Sequence, residues 1–123
     1  MFSHVVLGTN DLRKAQAFYD AIFTVIQADS QGIDAQGRLF YVKDGQRLII
    51  GHPINGQPAT HANGGTIGFK LTSEQDVYRW HEQGIAHGGT NAETPPHVRP
   101  DGRCVAYLRD PDNNKLCAAF QTR

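Results

Sequence analysis

The sequence predicts an α+β domain in which one β-α-β-β-β unit is written twice, and three observations carry that prediction. The run Arg109-Asp110-Pro111-Asp112-Asn113-Asn114-Lys115-Leu116-Cys117 reads as strand, tight turn and strand, and Lys43-Asp44-Gly45-Gln46-Arg47-Leu48-Ile49 echoes it. His4-Val5-Val6-Leu7-Gly8-Thr9-Asn10-Asp11 is an apolar strand running into a helix cap, a plan that Thr66-Ile67-Gly68-Phe69-Lys70-Leu71-Thr72-Ser73 repeats 62 positions later. Tyr41-Val42-Lys43-Asp44 matches Tyr107-Leu108-Arg109-Asp110 at an offset of 66. Identity between the halves is low, so what repeats is the order of elements. Chains of two such modules tend to place a binding cleft between them, with corresponding positions facing each other across it.

The first helix is expected to start after Asn10 or Asp11, whose side chains can cap free backbone N–H groups, and to run to about Phe23. Leu12, Ala15, Phe18, Tyr19 and Ile22 recur at helical spacing, whereas Arg13, Lys14, Gln16 and Asp20 lie outside the stripe. A strand near Val25 to Ala28 follows, then a hairpin between Gly37 and Gly51 turning on Asp44-Gly45, a strong hairpin signal. Pro53, Asn55-Gly56, Pro58 and Asn63-Gly64-Gly65 mark a connector. The second helix starts with Thr72 and Gln75, or Ser73 and Asp76, as a capping-box-like pair. It carries Val77 and Trp80 as its apolar stripe, with Trp80 assigned to packing, and Gly84 is expected to end it in the left-handed conformation. A strand near Gly89 to Ala92 precedes the last hairpin, Gly102 to Phe120, whose turn uses proline to preset φ and asparagine to accept positive φ. The boundaries are therefore module 1 at about 1–52, a connector at about 53–64 and module 2 at about 65–123, in a single domain.

Twelve basic and twelve acidic side chains balance, and neither sign gathers into a block, so nucleic acid and anionic membrane surfaces are not expected as partners. No apolar run approaches the roughly 20 residues that span a bilayer, and the N-terminal segment has no export-signal pattern. Cys104 and Cys117 are too few for a disulfide framework, which fits a reducing cytoplasm. Neither a G-x-S-x-G elbow nor a C-x-x-C pair is present, and Gly64-Gly65 and Gly88-Gly89 are isolated pairs, so no covalent mechanism or phosphate loop is indicated.

His4-Val5-Val6-Leu7-Gly8-Thr9-Asn10-Asp11-Leu12 with Ala17-Phe18-Tyr19-Asp20, and Asp110-Pro111-Asp112-Asn113-Asn114-Lys115-Leu116, resemble the first strand and helix and the closing turn of the vicinal oxygen chelate superfamily. That superfamily includes glyoxalases, extradiol dioxygenases and bleomycin or fosfomycin resistance proteins. Ile50-Gly51-His52-Pro53 with Asn55-Gly56-Gln57-Pro58-Ala59-Thr60 is similar to a glyoxalase-like subgroup whose members mostly lack an assigned reaction. The resemblance implies a curved mixed sheet built from both βαβββ modules, with a cleft that in catalytic members holds a divalent metal. Carried over, the ligand positions fall at His4, near Ile49, at Thr66 and at Cys117. Of these, only His4 is a usual ligand; isoleucine has no donor and a neutral threonine hydroxyl is a poor one. No metal and no cofactor is therefore expected, and His4 is read as a cleft histidine that hydrogen-bonds a ligand or neighbour. The alternative is a divalent-metal lyase, isomerase or dioxygenase with zinc, nickel, manganese or iron on ligands rearranged around His4.

His52, His61, His81, His87 and His97 show no metal-motif spacing such as H-x-x-x-H. His97 with Arg99 and Arg103 is the least ordinary group, three donors on one stretch that could hold a carboxylate or phosphate. Strand alternation places His4, Val6 and Gly8 on one face, Thr66, Gly68 and Lys70 on the matching face, and Ile49, Cys117 and Ala119 on the same side. Val5, Leu7, Ile67, Phe69 and Leu71 take the opposite face, under the helices. The expected ligand-binding set is thus His4, Val6, Ile49, Thr66, Gly68, Lys70 and Cys117, suited to a small, partly hydrophobic ligand with one polar or anionic end. A homodimer that binds a small organic molecule, as the superfamily's sequestering resistance proteins do, is the expected function. A partner-binding protein with a vestigial cleft is a third reading.

Overall fold

Strand β1 (His4–Gly8) runs into helix α1 (Leu12–Ile26), and Asp11 caps the junction, its Oδ1 accepting from the N–H groups of Arg13 and Lys14. The computed structural model describes residues 1–122. Helix α1 passes Phe23 and takes in Val25, which the sequence placed in a strand, because Val25 packs into the same core as Ile22. Gln27, at φ 64°, ends it, and Ala28 N–H closes back onto Phe23 O. Strand β2 (Asp29–Ile33) therefore begins one residue beyond the expected range, and β3 (Leu39–Lys43) and β4 (Gln46–Gly51) form the hairpin. Asp44 and Gly45 both have positive φ, as a two-residue hairpin turn requires.

The second unit repeats the plan with β5 (Ile67–Lys70) and α2 (Glu74–Ala86), capped by Ser73, whose hydroxyl accepts from Asp76 N–H. Strands β6 (Thr90–Asn91), β7 (His97–Val98), β8 (Arg103–Arg109) and β9 (Lys115–Gln121) complete it. One sheet has the order β1-β4-β3-β2, the other β5-β9-β8-β6, with β7 also on β8. Within each, the first strand pairs in parallel with the last. The repeat is thus visible in register: Val6 pairs with Ile49, and Gly68 with Cys117.

Two further expectations fail. Gly84 does not end α2; it lies inside the helix, where an added Cβ would overlap Leu108 Cδ1 and press on Phe18 Cε1 at 3.3 Å. The left-handed residue after the helix is Gly88. Tyr107 does not correspond to Tyr41. Phe40 pairs with Ile49 and Tyr107 pairs with Cys117, so the true offset on this strand is one greater, and Tyr41 faces the core while Tyr107 faces outward.

Both sheets turn one face to a single shared core. Val5, Leu7, Leu48 and Ile50 come from the first, Phe69, Leu108, Leu116 and Ala118 from the second, with Phe18, Ile22 and Trp80 from the helices between. Trp80 is fully buried, as its packing assignment predicted. Burying a large apolar side chain contributes about 1.5–3 kcal/mol, so this one core holds both modules together.

Candidate ligand-binding faces

Alternation along each strand leaves the opposite faces of both sheets outside that core. On the first sheet this face carries His4, Val6 and Gly8, with Arg47, Ile49 and Gly51 as their respective cross-strand partners. Val6 is 55% exposed, whereas Ile49 is covered. His4 is exposed, and its Nδ1 lies 2.7 Å from the Ser3 hydroxyl. The connector folds back over the far end of this face: Asn10 and Ala59 exchange two hydrogen bonds at 2.7 and 3.0 Å, and Ala59 Cβ sits where a Gly8 side chain would be, 2.9 Å from its Cβ position. Between the sheet and that connector lies a cavity of about 620 Å³ with Val6, Gly8, Arg38, His52, Ile54 and Ala59 among its walls.

On the second sheet the outward face carries Gly68 and Lys70, both exposed, and beside them Cys117 and Ala119. Thr66, just before β5, is exposed as well. Val105, Tyr107 and Ala92 make a small apolar cluster with Cys117 and Ala119, separate from the main core. Tyr107 was not anticipated. It is 8% exposed, its hydroxyl accepts from Arg99 Nη2, and Lys115 Nζ lies 5.4 Å from its ring centroid. Lys115 is in turn paired with Glu93. Pairing Arg109 with Lys115 around the turn gives Tyr107 opposite Cys117, so strand counting from Cys117 would have found it.

The structure separates the expected residues into two groups. Val6 and Ile49 are together on one sheet, Gly68 and Cys117 on the other, and of these four Val6 alone lines the 620 Å³ cavity. Of the loop cations, Arg99 and Arg103 reach the second face, and His97 shares it by pairing with Val105 while its Nδ1 is 2.9 Å from Pro95 O. Burial pushes the Cys117 thiol up, against the opposing pull of the Arg99 and Arg103 guanidiniums. Burial likewise raises Cys104, which lies on the core face of β8, so the two free thiols occupy opposite faces of their hairpin.

Metal donors do not converge on either face. Among the described residues no group of three or more His, Cys, Asp or Glu side chains could hold an ion. His4 has the cation Arg47 as its cross-strand neighbour on the same face, and Cys117 has two arginines near it. Positive charge beside a would-be ligand opposes a divalent cation by direct repulsion. The residues present do not fit the metal that the family resemblance implies.

A family model described as the glyoxalase/bleomycin resistance protein/dioxygenase superfamily matches residues 1–118. A crystal structure of a glyoxalase/bleomycin resistance protein from Albidiferax ferrireducens T118 is 46% identical over 97% of each chain, with a TM-score of 0.91. At 23% identity, a genomically encoded fosfomycin resistance protein from Listeria monocytogenes covers 98% of this chain and 90% of its own with a TM-score of 0.72. A lactoylglutathione lyase from Agrobacterium tumefaciens, also 23% identical, covers 99% and 94% with a TM-score of 0.68. These last two share the fold. No curated protein matches the chain.

Proposed function

The chain belongs to the glyoxalase/bleomycin resistance protein/dioxygenase superfamily, and from that premise we propose that it binds a small organic molecule without a metal centre, at a cleft completed by a second copy of itself. The observation that carries this reading is the cavity of about 620 Å³ at Val6. Ligand pockets for drug-sized molecules occupy roughly 300–1,000 Å³, and this one is built from fixed strand positions on one side and a strapped connector on the other. Its open side needs another wall. The outward face of the second sheet has the complementary character, with bare space at Gly68 and an apolar floor at Ala119 and Val105. Because both outward faces look away from the common core, a second copy is the natural source of that wall, and twofold closure is the commonest way two copies meet.

The donor set argues against the metal-dependent lyase, isomerase or dioxygenase alternative. Ile49 and Thr66 occupy two of the four expected ligand positions, and arginines crowd the other two. The two thiols on opposite sheet faces suit a reducing, cytoplasmic setting.

A thermal-shift ligand screen on the parent, Val6→Trp and Gly68→Phe proteins tests the reading. Both variants should fold, since Val6 is half-exposed and nothing lies within 4 Å of a Cβ at Gly68. A true ligand stabilises the parent by about 2.7 kcal/mol at a hundredfold excess over Kd and the variants much less. Equal stabilisation of all three, or monomer mass by light scattering across micromolar concentrations, rejects the shared cleft.

A further inference from the structure

Arg99 is the guanidinium on the second module's outward face that is held against the Tyr107 hydroxyl. A tight turn fixes its backbone: Arg99 N–H donates to Arg103 O at 2.8 Å, and Gly102 N–H to Arg99 O at 2.9 Å. Nη2 donates to the Tyr107 hydroxyl, and Cζ lies 5.9 Å from the ring centroid. The ring packs in one apolar cluster with Val105 and Ala92. Among the described residues no carboxylate pairs with Arg99, while Glu93, the acidic side chain on this face, is taken by Lys115. Arg99 thus presents a charged, oriented donor fork whose remaining N–H groups are available.

The row that it caps has a definite shape. Gly68, Cys117 and Tyr107 lie side by side on three neighbouring strands. At strand spacings of about 4.8 Å the row is about 10 Å long. Its Gly68 end has no side chain, its middle is a neutral thiol, and its Tyr107 end carries the guanidinium. That is room for one ring or short aliphatic body with an anion at one end.

Resting on the ligand-binding reading above, we propose that Arg99, oriented by Tyr107, anchors a carboxylate on that ligand. The planar fork of arginine matches two carboxylate oxygens at once, which a lysine cannot do. Tyr107 is the positioning residue: it holds the fork and does not itself need to touch the anion.

Benzoate and its neutral isostere benzamide, titrated against the full chain with backbone amide shifts as readout, test this. Benzoate should shift Gly68, Tyr107 and Cys117 saturably and bind about tenfold or more tighter than benzamide, the difference that a charge-assisted pair supplies. Arg99→Gln should erase the preference for the anion with the fold unchanged, and Arg99→Lys should recover part of it. Tyr107→Phe should weaken benzoate more than benzamide, so that the ratio of the two affinities falls, which a merely structural role for Tyr107 would not do. Benzoate binding that is equal in parent and Arg99→Gln, absent from this row, or no better than benzamide overturns the anchor. If benzamide binds at this row equally well, the anchor fails and the ligand-binding reading survives; if no screened compound binds either face, that reading falls too.

Discussion

Tyr19, on the helix of the first module, donates its hydroxyl hydrogen to Asp110 Oδ2, in the closing turn of the second, at 2.5 Å. Asp110 also accepts from the N–H groups of Asp112 and Asn114 and from Asn114 Nδ2, so one carboxylate both shapes its turn and grips the opposite module. Asn114 Nδ2 reaches on to Gly8 O, and Asp112 Oδ1 accepts from Asn10 N–H. The turn is thus a clamp on the junction between β1 and α1, which fixes the angle at which the two outward faces are presented.

Asp110→Ala should cost about 2–4 kcal/mol at neutral pH, because it leaves the buried Tyr19 hydroxyl, the Asn114 amide and the turn N–H groups without their acceptor. The loss should also vary with pH. Burial raises the Asp110 carboxyl above its ordinary value of 3.8, although its hydrogen bonds pull it down. The folded chain then holds this proton more tightly than the unfolded one, so the stability that the group contributes is fully present below 3.8 and falls as pH rises through the folded value. The parent's advantage over Asp110→Ala should therefore widen as pH is lowered from neutrality towards 4. Urea unfolding of both proteins across that range checks it, and a difference independent of pH contradicts the burial argument.

Gly84→Ala should destabilise the chain by about 1–3 kcal/mol through overpacking. The added methyl meets Leu108 Cδ1, the end of a side chain, so trimming Leu108 to valine should relieve part of the damage in a double-mutant cycle. Gly89→Ala should be worse and without rescue, because its Cβ would also approach the backbone oxygens of Gly84 and Arg109 at 2.9 and 3.1 Å.

Purified protein should retain zinc, nickel, manganese or iron no better than its His4→Ala variant. Elemental analysis after dialysis is the measurement, and a stoichiometric ion lost only in the variant would refute the metal-free reading. The same argument predicts that chelator leaves thermal stability unchanged.

Thiol titration should find one slowly reacting group in the native protein and two after unfolding. Cys104 is fully buried in the core, whereas Cys117 is half-buried on the outward face. Two residues on opposite faces cannot bridge, so oxidation should yield no internal crosslink. A mobility shift under non-reducing conditions that disappears in Cys117→Ala would show otherwise.

Capped helices, turn chemistry and strand alternation carried most of the architecture. Asp11, Ser73 and the Asp44-Gly45 turn act as their residue types suggest, and Val5, Leu7, Ile67 and Phe69 face the core as their spacing implies. What misled was length in the turns. The second hairpin spends five residues between Arg109 and Lys115 where the first spends two between Lys43 and Gln46, and matching Tyr41 to Tyr107 by letter concealed a slip that reverses a side chain's face. Gly84 looked like a helix terminator because a glycine near a helix end usually is one, yet its reason is contact with Leu108 from a distant strand. The Arg99 and Tyr107 pair depends on a turn bringing two strands together, which local periodicity does not encode.

The outer edge of each sheet is interrupted at the same point of the repeat. Strand β2 loses register between Ser30 and Ile33, with Gly32 at φ 73°, and in the second module the corresponding strand is broken outright into β6 and β7 by a stretch containing Pro95 and Pro96. A broken edge offers no continuous row of free N–H and C=O groups on which another chain could template itself. Templated growth is thereby disfavoured at β2 and at β6–β7, while the short edges β1 and β5, paired without a break in register, are left as the places where one copy can approach another.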